Sequence, residues 1–174
     1  MLTEQWRHVL STVLVSRGDF LLRDSPQMGA LMISLDCHHP DLMDFIDIKT
    51  KENSVTKANI SVRVTDDFMQ AVEDDTDWVM SFTRPETGET ITKTAKARDI
   101  FDKLCENNWN WAEPGILFWD NIEEYNLLSN NPDFEYAGTN PCAEEPLPAG
   151  GSCLLGSINL SAFVNDCGNF MYDD

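Results

Sequence analysis

The amino-acid sequence predicts an α/β protein, because apolar residues alternate at strand spacing in some stretches and recur at helical spacing in others. Asn59–Val64 shows the strand pattern, with apolar residues at positions 60, 62 and 64. Ala97–Cys105 shows the helical pattern, with apolar residues at positions 97, 100, 101, 104 and 105. Proline and glycine concentrate after Asn130, which predicts that these elements lead into a long loop.

The first third of the chain is predicted to hold two helices around a strand. An amphipathic stretch within residues 1–24 favours a helix, and Arg23–Gln27 favours a break because it contains a proline. Leu31–Leu35 is a short apolar run suited to a buried strand. A helix is predicted to begin around His39-Pro40-Asp41 and to reach about Thr50, since proline and aspartate suit a first helical turn.

The middle of the chain is predicted to alternate between helices and strands. After polar residues 51–57 and the strand at 59–64, Thr65 is a suitable N-cap for a helix that continues to about Asp75. Apolar residues at positions 78, 80 and 82, a turn at Pro85–Gly88 and a strand at Glu89–Lys93 predict a β-hairpin. The helix around positions 97–105 follows, and another is predicted over Phe118–Leu128.

Residues 130–152 are predicted to form a long loop, because their prolines and the Gly150-Gly151 pair fit poorly inside regular elements. Long ordered loops in compact domains are commonly functional. Leu154–Leu160 is predicted to return as a strand.

Charge and cysteine content limit the class of protein. The chain has 30 acidic and 12 basic residues, a net charge of −18, which disfavours binding to nucleic acid or to an anionic membrane. No apolar run approaches the roughly 20 residues that span a bilayer, and the first residues do not follow the order of a signal peptide. An odd number of scattered cysteines argues against a secreted disulfide scaffold, so we expect a cytoplasmic protein. The five cysteines are Cys37, Cys105, Cys142, Cys153 and Cys167.

The strongest chemical pattern lies in the long loop. Asn140, Cys142 and Glu144 occupy alternate positions, and alternate side chains of an extended segment point the same way. An amide, a thiol and a carboxylate are thereby predicted to face one small molecule, which the carboxylate can deprotonate and the sulfur can oxidise or reduce. Cys153 follows after a stretch rich in proline and glycine, which can fold it back toward the same place. From composition alone, a surface loop with incidental cysteines stays an open alternative.

Other features have simpler explanations. Cys37-His38-His39 contains zinc-ligand types, but adjacent side chains of an extended chain point apart, so a strand end before a helix is favoured. Cys105 lies on an apolar helical stripe and is predicted to be core. For three tryptophans, packing in the core is favoured over stacking on a nucleic-acid base. For the acidic run at 73–75, a solvated helix end is favoured over a cation site. The tryptophans are Trp109, Trp111 and Trp119.

The loop sequence resembles the finger loop of ribonucleotide reductases. The resemblance rests on Asn140–Leu160 (NPCAEEPLPAGGSCLLGSINL), with similar segments at Gly29–Leu42 and Asn59–Val64. The eleven-residue separation of Cys142 and Cys153 resembles the adenosylcobalamin-dependent class II enzymes in particular. The resemblance implies that residues 28–174 are part of a catalytic α/β barrel with residues 130–152 as its central loop. Residues 1–27 do not follow the family pattern and form a divergent N-terminal segment.

The resemblance also implies a role for each loop residue. Cys142 matches the cysteine that becomes a thiyl radical and removes the 3′ hydrogen of the ribose. Glu144 matches the carboxylate that deprotonates the 3′ hydroxyl, and Asn140 matches the amide that positions that edge of the sugar. Cys153 matches one half of the dithiol that supplies two electrons and closes to a disulfide. These roles imply adenosylcobalamin as cofactor, a ribonucleoside di- or triphosphate as substrate and a thioredoxin-like protein as reductant.

Several family features fall outside this chain. The family partner of Cys153 lies well upstream of the matching region, and Cys37, Cys105 and Cys167 do not match it. The resemblance therefore implies a fragment that the missing part of the reductase completes as a separate chain. An inactive remnant or interaction module is the alternative, and a metal-dependent class I enzyme shares the Asn-x-Cys-x-Glu pattern.

Overall fold

The structure, a computed structural model, describes residues 30–50, 55 and 58–172. The predicted N-terminal helix and its break at Arg23–Gln27 lie outside the described residues, as does most of the predicted loop at 51–57. Helices and strands alternate along the rest of the chain, so the predicted α/β class is confirmed. Among the described residues, no helix combines the length and apolar character that crossing a membrane requires.

A three-stranded parallel sheet forms the centre of the fold. Its strands are β1 (Met32–Asp36), β2 (Asn59–Val64) and β5 (Gly115–Phe118), and β2 lies in the middle. Leu35 is opposite Val62, and Val62 is opposite Ile116, so the three strands are in register across the sheet. The described residues form an open sheet and not a closed barrel, because β1 and β5 each pair on one side only.

Three helices pack with this sheet to form the core. They are α1 (Leu42–Ile46), α2 (Asp66–Glu73) and α3 (Ala97–Trp111). Because β2 is the central strand, its apolar side chains are almost fully removed from water. The core cluster includes Leu42, Phe45, Ile46, Ile60, Val62, Val64, Phe68, Val72, Ile100 and Leu104.

Thr65 begins α2 as the sequence predicts. Its backbone is extended, and its side-chain oxygen accepts a hydrogen bond from the backbone N–H of Phe68 at 3.2 Å. The helix ends at Glu73, and Asp74 and Asp75 are exposed, which confirms a solvated helix end at the acidic run.

The predicted hairpin is present and longer than expected. Strand β3 (Asp77–Thr83) pairs antiparallel with β4 (Thr90–Lys96), and α3 begins directly after β4. The hairpin is tied to the end of β1, because the backbone N–H of Ser81 donates to the carbonyl of His38 at 2.7 Å.

Helix α1 ends four residues earlier than predicted. The chain continues through turns to Thr50, and the side chain of Asn107 donates a hydrogen bond to the carbonyl of Ile46 at 2.9 Å. This buried amide from α3 satisfies a carbonyl at the helix end, where no intrahelical partner remains. The observed helix end therefore coincides with a tertiary contact that sequence periodicity does not signal.

The region after α3 differs most from the prediction. Phe118 ends strand β5, which the sequence analysis missed, and helix α4 is confined to Trp119–Glu124. Leu154–Leu160 forms no strand, and a short 3₁₀ helix follows at Leu160–Phe163. A strand needs neighbours to receive its backbone hydrogen bonds, and the described residues provide none for this segment.

Three side chains predicted to be core are exposed. Cys105, Trp109 and Trp111 lie on the outer side of α3, and 89% of Trp109 is exposed. The buried stripe of α3 instead runs from Ala97 through Leu104 to Asn107. Trp119 is buried, as predicted.

Candidate functional site

The candidate site is the loop of a second hairpin inside the predicted long loop. Strand β6 (Tyr136–Thr139) pairs antiparallel with β7 (Pro146–Pro148), and Asn140–Glu145 connects them. The expectation that residues 130–152 contain no regular element is therefore wrong. Pro146 and Pro148 are accommodated because β7 has one partner only, so its outer side needs no donors.

Asn140 is the centre of the hydrogen-bonding pattern in this loop. Its side chain is buried, with 5% of the residue exposed. The amide nitrogen donates to the carboxylate of Glu144 at 2.7 Å and to the sulfur of Cys153 at 3.6 Å. The amide oxygen accepts from the backbone N–H of Glu145 at 3.1 Å. The structure thus brings three of the four predicted site residues together around one amide.

A tight turn, and not an extended strand, creates this arrangement. The backbone N–H of Ala143 donates to the carbonyl of Asn140 at 3.0 Å, and Ala143 has φ +68°. The expectation that alternate side chains of an extended segment converge is therefore wrong. Asn140 and Glu144 meet because the chain reverses between them, whereas Cys142 lies at the exposed tip of the turn.

A second reversal returns Cys153 to the loop. The backbone N–H of Gly151 donates to the carbonyl of Pro148 at 2.9 Å, and Gly150 adopts φ +76°. A Cβ on Gly151 would lie 3.0 Å from the carbonyl oxygen of Pro148, which is tighter than an ordinary contact, so glycine suits this close approach. The predicted use of the Pro and Gly residues, to fold Cys153 back, is supported by this geometry.

Two neighbouring acidic residues, Glu144 and Glu145, raise the pKa of the Cys153 thiol. Hydrogen bonding to the carboxylate of Glu145 is the main reason that the pKa of Cys153 is raised, and Glu144 acts in the same direction through its charge. The hydrogen bond from Asn140 acts in the opposite direction because it stabilises the thiolate. Cys153 is exposed, so the interaction is screened by water.

Sequence reasoning missed two residues of the site. Glu145 closes the loop through its backbone, which bonds to the side chain and the backbone of Asn140, and Asn59 donates from its amide to the carbonyl of Pro141 at 2.6 Å. Asn59 lies at the start of β2, so it ties the loop to the central sheet. The only sequence signal for either was the polar type of the residue, because an 82-residue separation hides the Asn59 contact.

Asp36, Cys37 and His38 form a separate cluster at the end of β1. Their potential ligand atoms lie within 4.8 Å of one another, so the expectation that adjacent side chains point apart is wrong here. The strand ends at Asp36, and its carboxylate accepts hydrogen bonds from the backbone N–H and the ring of His38, both at 2.8 Å. His39 is directed elsewhere and accepts a hydrogen bond from the backbone N–H of Asp41.

Comparisons with known proteins point in one direction. The ribonucleotide reductase barrel-domain family matches residues 24–174. The vitamin B12-dependent ribonucleoside-diphosphate reductase of Thermoplasma acidophilum is 44% identical over 149 residues, which cover 85% of this chain and 19% of the relative. The enzyme of the same name from Mycobacterium tuberculosis is 37% identical over 139 residues, covering 79% of this chain and 19% of the relative.

A third relative agrees with these. The vitamin B12-dependent ribonucleotide reductase of Streptomyces avermitilis is 32% identical over 176 aligned residues, covering 88% of this chain and 18% of the relative. The chain therefore spans about a fifth of the length of the curated relatives that it matches.

Proposed function

The chain belongs to the ribonucleotide reductase family through its barrel domain, and from this premise we propose that it contributes the catalytic loop for radical reduction of ribonucleotides. The observation that carries the proposal is the amide of Asn140, which binds both Glu144 and Cys153. A carboxylate and a redox-capable sulfur that are hydrogen-bonded to the same buried amide suit a substrate that must lose a proton and gain electrons.

Each residue of the loop has a role in this proposal. Cys142, at the exposed tip, is the hydrogen acceptor that meets the ribose. Glu144 deprotonates the adjacent hydroxyl, because its carboxylate is exposed and already oriented by Asn140. Asn140 holds that edge of the sugar, and Cys153 supplies reducing equivalents as one half of a dithiol.

Adenosylcobalamin is the proposed cofactor, since the named relatives depend on vitamin B12. When bound, it supplies the radical that the Cys142 thiol requires. The structure fits this need at one point: Cys142 is exposed and open to a group that approaches the tip of the turn.

The substrate proposed is a ribonucleoside di- or triphosphate, and a thioredoxin-like protein is the proposed reductant. The rest of the reductase is proposed to pack against this region. It would complete the barrel around the open sheet, with residues 130–152 as the finger loop, and supply the cysteine that pairs with Cys153. We expect this assembly in the cytoplasm.

Complementation tests the proposal. The chain is combined with the upstream part of a class II reductase, adenosylcobalamin, a ribonucleotide and a dithiol, and deoxyribonucleotide is measured by chromatography. We expect product that disappears in Cys142→Ala and persists in Cys105→Ala, because Cys105 is an exposed cysteine on α3, outside the loop. Product formation that survives loss of Cys142 would refute the assigned mechanism.

Two further outcomes separate the alternatives. A folded chain that binds the upstream part but never yields deoxyribonucleotide supports an inactive remnant or interaction module. Turnover that requires a metal-containing radical subunit in place of adenosylcobalamin would assign the chain to class I.

A further inference from the structure

Asn59 contacts the candidate loop at the peptide unit that precedes Cys142. Its side-chain amide donates to the carbonyl of Pro141 at 2.6 Å. That carbonyl and the backbone N–H of Cys142 belong to one planar peptide unit, so a hydrogen bond to the carbonyl orients the whole unit. The contact therefore acts on the backbone immediately before the Cys142 side chain.

The turn around this peptide unit can take two forms that differ in its orientation. The carbonyl of Asn140 accepts from the N–H of Ala143 at 3.0 Å, which makes Pro141 and Cys142 the central residues of a β-turn. Types I and II of such a turn differ by a rotation of the central peptide unit, and type II needs a positive φ at the second central residue. Ala143 has a positive φ but Cys142 does not, so the turn has the type I form.

The start of β2 holds Asn59 in place. The backbone N–H of Asn59 donates to the carbonyl of Leu31 at 2.8 Å. The backbone N–H of Ile60 donates to the carboxylate of Glu113 at 3.0 Å, and the same carboxylate pairs with Lys49. Because both neighbouring segments fix this end of the strand, Asn59 presents its amide to the loop from a rigid part of the sheet.

We propose that Asn59 is a positioning residue for Cys142, which holds the Pro141 carbonyl, selects the type I form of the turn and so sets the direction of the thiol. The effect on turnover rests on the proposed function, whereas the effect on the turn does not. The bonds between Asn140 and Glu145 close the base of the loop, and a rotation of the central peptide unit would leave them intact. Hydrogen transfer to sulfur needs the reacting atoms in near-attack geometry, so the tip of the loop benefits from a partner outside it.

Amide hydrogen exchange of the full chain, resolved to single residues by mass spectrometry, tests the effect on the turn. In Asn59→Ala the N–H of Ala143 should exchange about two- to fivefold faster, the factor that one hydrogen bond of ordinary strength supplies. Asn59→Asp keeps the size of the side chain but has no N–H donor, so exchange should be at least as fast. Asn59→Gln retains the donor and should restore part of the protection.

Asn108 offers a matched control. Its amide donates to the carbonyl of Pro114 at 3.0 Å, a bond of the same kind from another exposed asparagine, outside the loop. Asn108→Ala should leave the exchange of the Ala143 N–H unchanged. Unchanged exchange in Asn59→Ala, an equal increase in Asn108→Ala, or full protection in Asn59→Asp would each overturn the proposal.

Turnover of the complemented reductase tests the effect on Cys142. Asn59→Ala and Asn59→Asp should lower kcat by roughly tenfold with little change in KM, because Asn59 contacts the backbone of the loop and not the substrate. Faster exchange with an unchanged kcat would refute the positioning role, and a loss of kcat with a large fall in the thermal midpoint would show damage to β2 instead. Exchange needs no turnover, so a wild-type chain that makes no deoxyribonucleotide would refute the proposed function and leave the effect on the turn to be decided by exchange.

Discussion

Among the described residues, Cys37 is the one whose ionisation is most clearly changed by the fold. Its side chain is fully buried, and burial raises the pKa of the thiol from 9.0 to about 11, with the nearby charge of Asp36 adding to the effect. Between these values the unfolded chain releases the proton while the folded chain retains it. The contribution to the free energy of unfolding is therefore complete below pH 9 and is lost as the pH rises toward about 11.

This predicts a pH dependence that one substitution removes. From pH 9 to pH 11 the free energy of unfolding should fall with a contribution from Cys37 of at most about 1.4 kcal/mol per pH unit. Cys37→Ala should lower stability at neutral pH because it leaves a cavity, but it should flatten the slope in this window. Urea titrations at several pH values measure both, and an unchanged slope in the variant would contradict the assignment.

At the scale of elements, the cap of α2 gives a direct test of helix stability. Thr65→Ala removes the acceptor for the Phe68 N–H and should reduce the free energy of unfolding by about 1 kcal/mol. Thr65→Ser retains the hydroxyl and should lose much less. Urea denaturation followed by circular dichroism measures the difference, and equal losses in both variants would assign the effect to the methyl group.

The contact between β2 and β5 makes a second prediction at this scale. Gly115 pairs with Ser61, and a Cβ on Gly115 would lie 2.8 Å from the Ser61 hydroxyl oxygen. Gly115→Ala should therefore destabilise the chain by roughly 1–3 kcal/mol. Ser61→Ala removes that oxygen, so the double variant should recover part of the loss. A double-mutant cycle measures the coupling, and strictly additive losses would place the strain elsewhere.

Local sequence signals predicted the elements that local chemistry determines. Strand β2 and the N-cap at Thr65 were predicted at their observed positions, because alternation and capping act over a few residues. Strand β5 has four residues, too few for a period to show, and Phe118 was assigned to the following helix. Cys105 follows Leu104 by one position, which rotates it about 100° away from the buried face of α3.

Only part of the candidate site was predicted, because the sequence shows residue types but not the turn and the tertiary contact that position them. The residue types of Asn140, Cys142, Glu144 and Cys153 are visible in the sequence, and their chemical roles stay predictions. The turn that joins them depends on a positive φ at Ala143, which an alanine does not signal. The support from Asn59 depends on tertiary structure, because it crosses from the sheet to the loop.

At the scale of the whole molecule, the segment after the loop is unusually apolar for its exposure. Leu154, Leu155 and Ile158 are 89%, 81% and 74% exposed. In the proposed assembly these side chains contact the remainder of the barrel. The isolated chain should therefore bind a hydrophobic dye and self-associate.

Replacing Leu154 and Leu155 with glutamate tests this placement. Dye fluorescence and the sedimentation coefficient should fall, while the thermal midpoint should change little, because neither side chain belongs to the core cluster. Leu127, which is 94% exposed, is the matched control. Its replacement with glutamate should reduce complementation less than the replacement of Leu154 and Leu155 does. A fall of several degrees in the midpoint for the Leu154 and Leu155 variant would show that these leucines are packed in the isolated chain.

The two prolines of β7 affect how readily the exposed edge of this hairpin can aggregate. Pro146, Leu147 and Pro148 possess one backbone N–H among them, so this strand is a poor template for a foreign strand. The hairpin of β6 and β7 is therefore protected against edge-to-edge aggregation by its two prolines, even before the rest of the barrel is assembled around it.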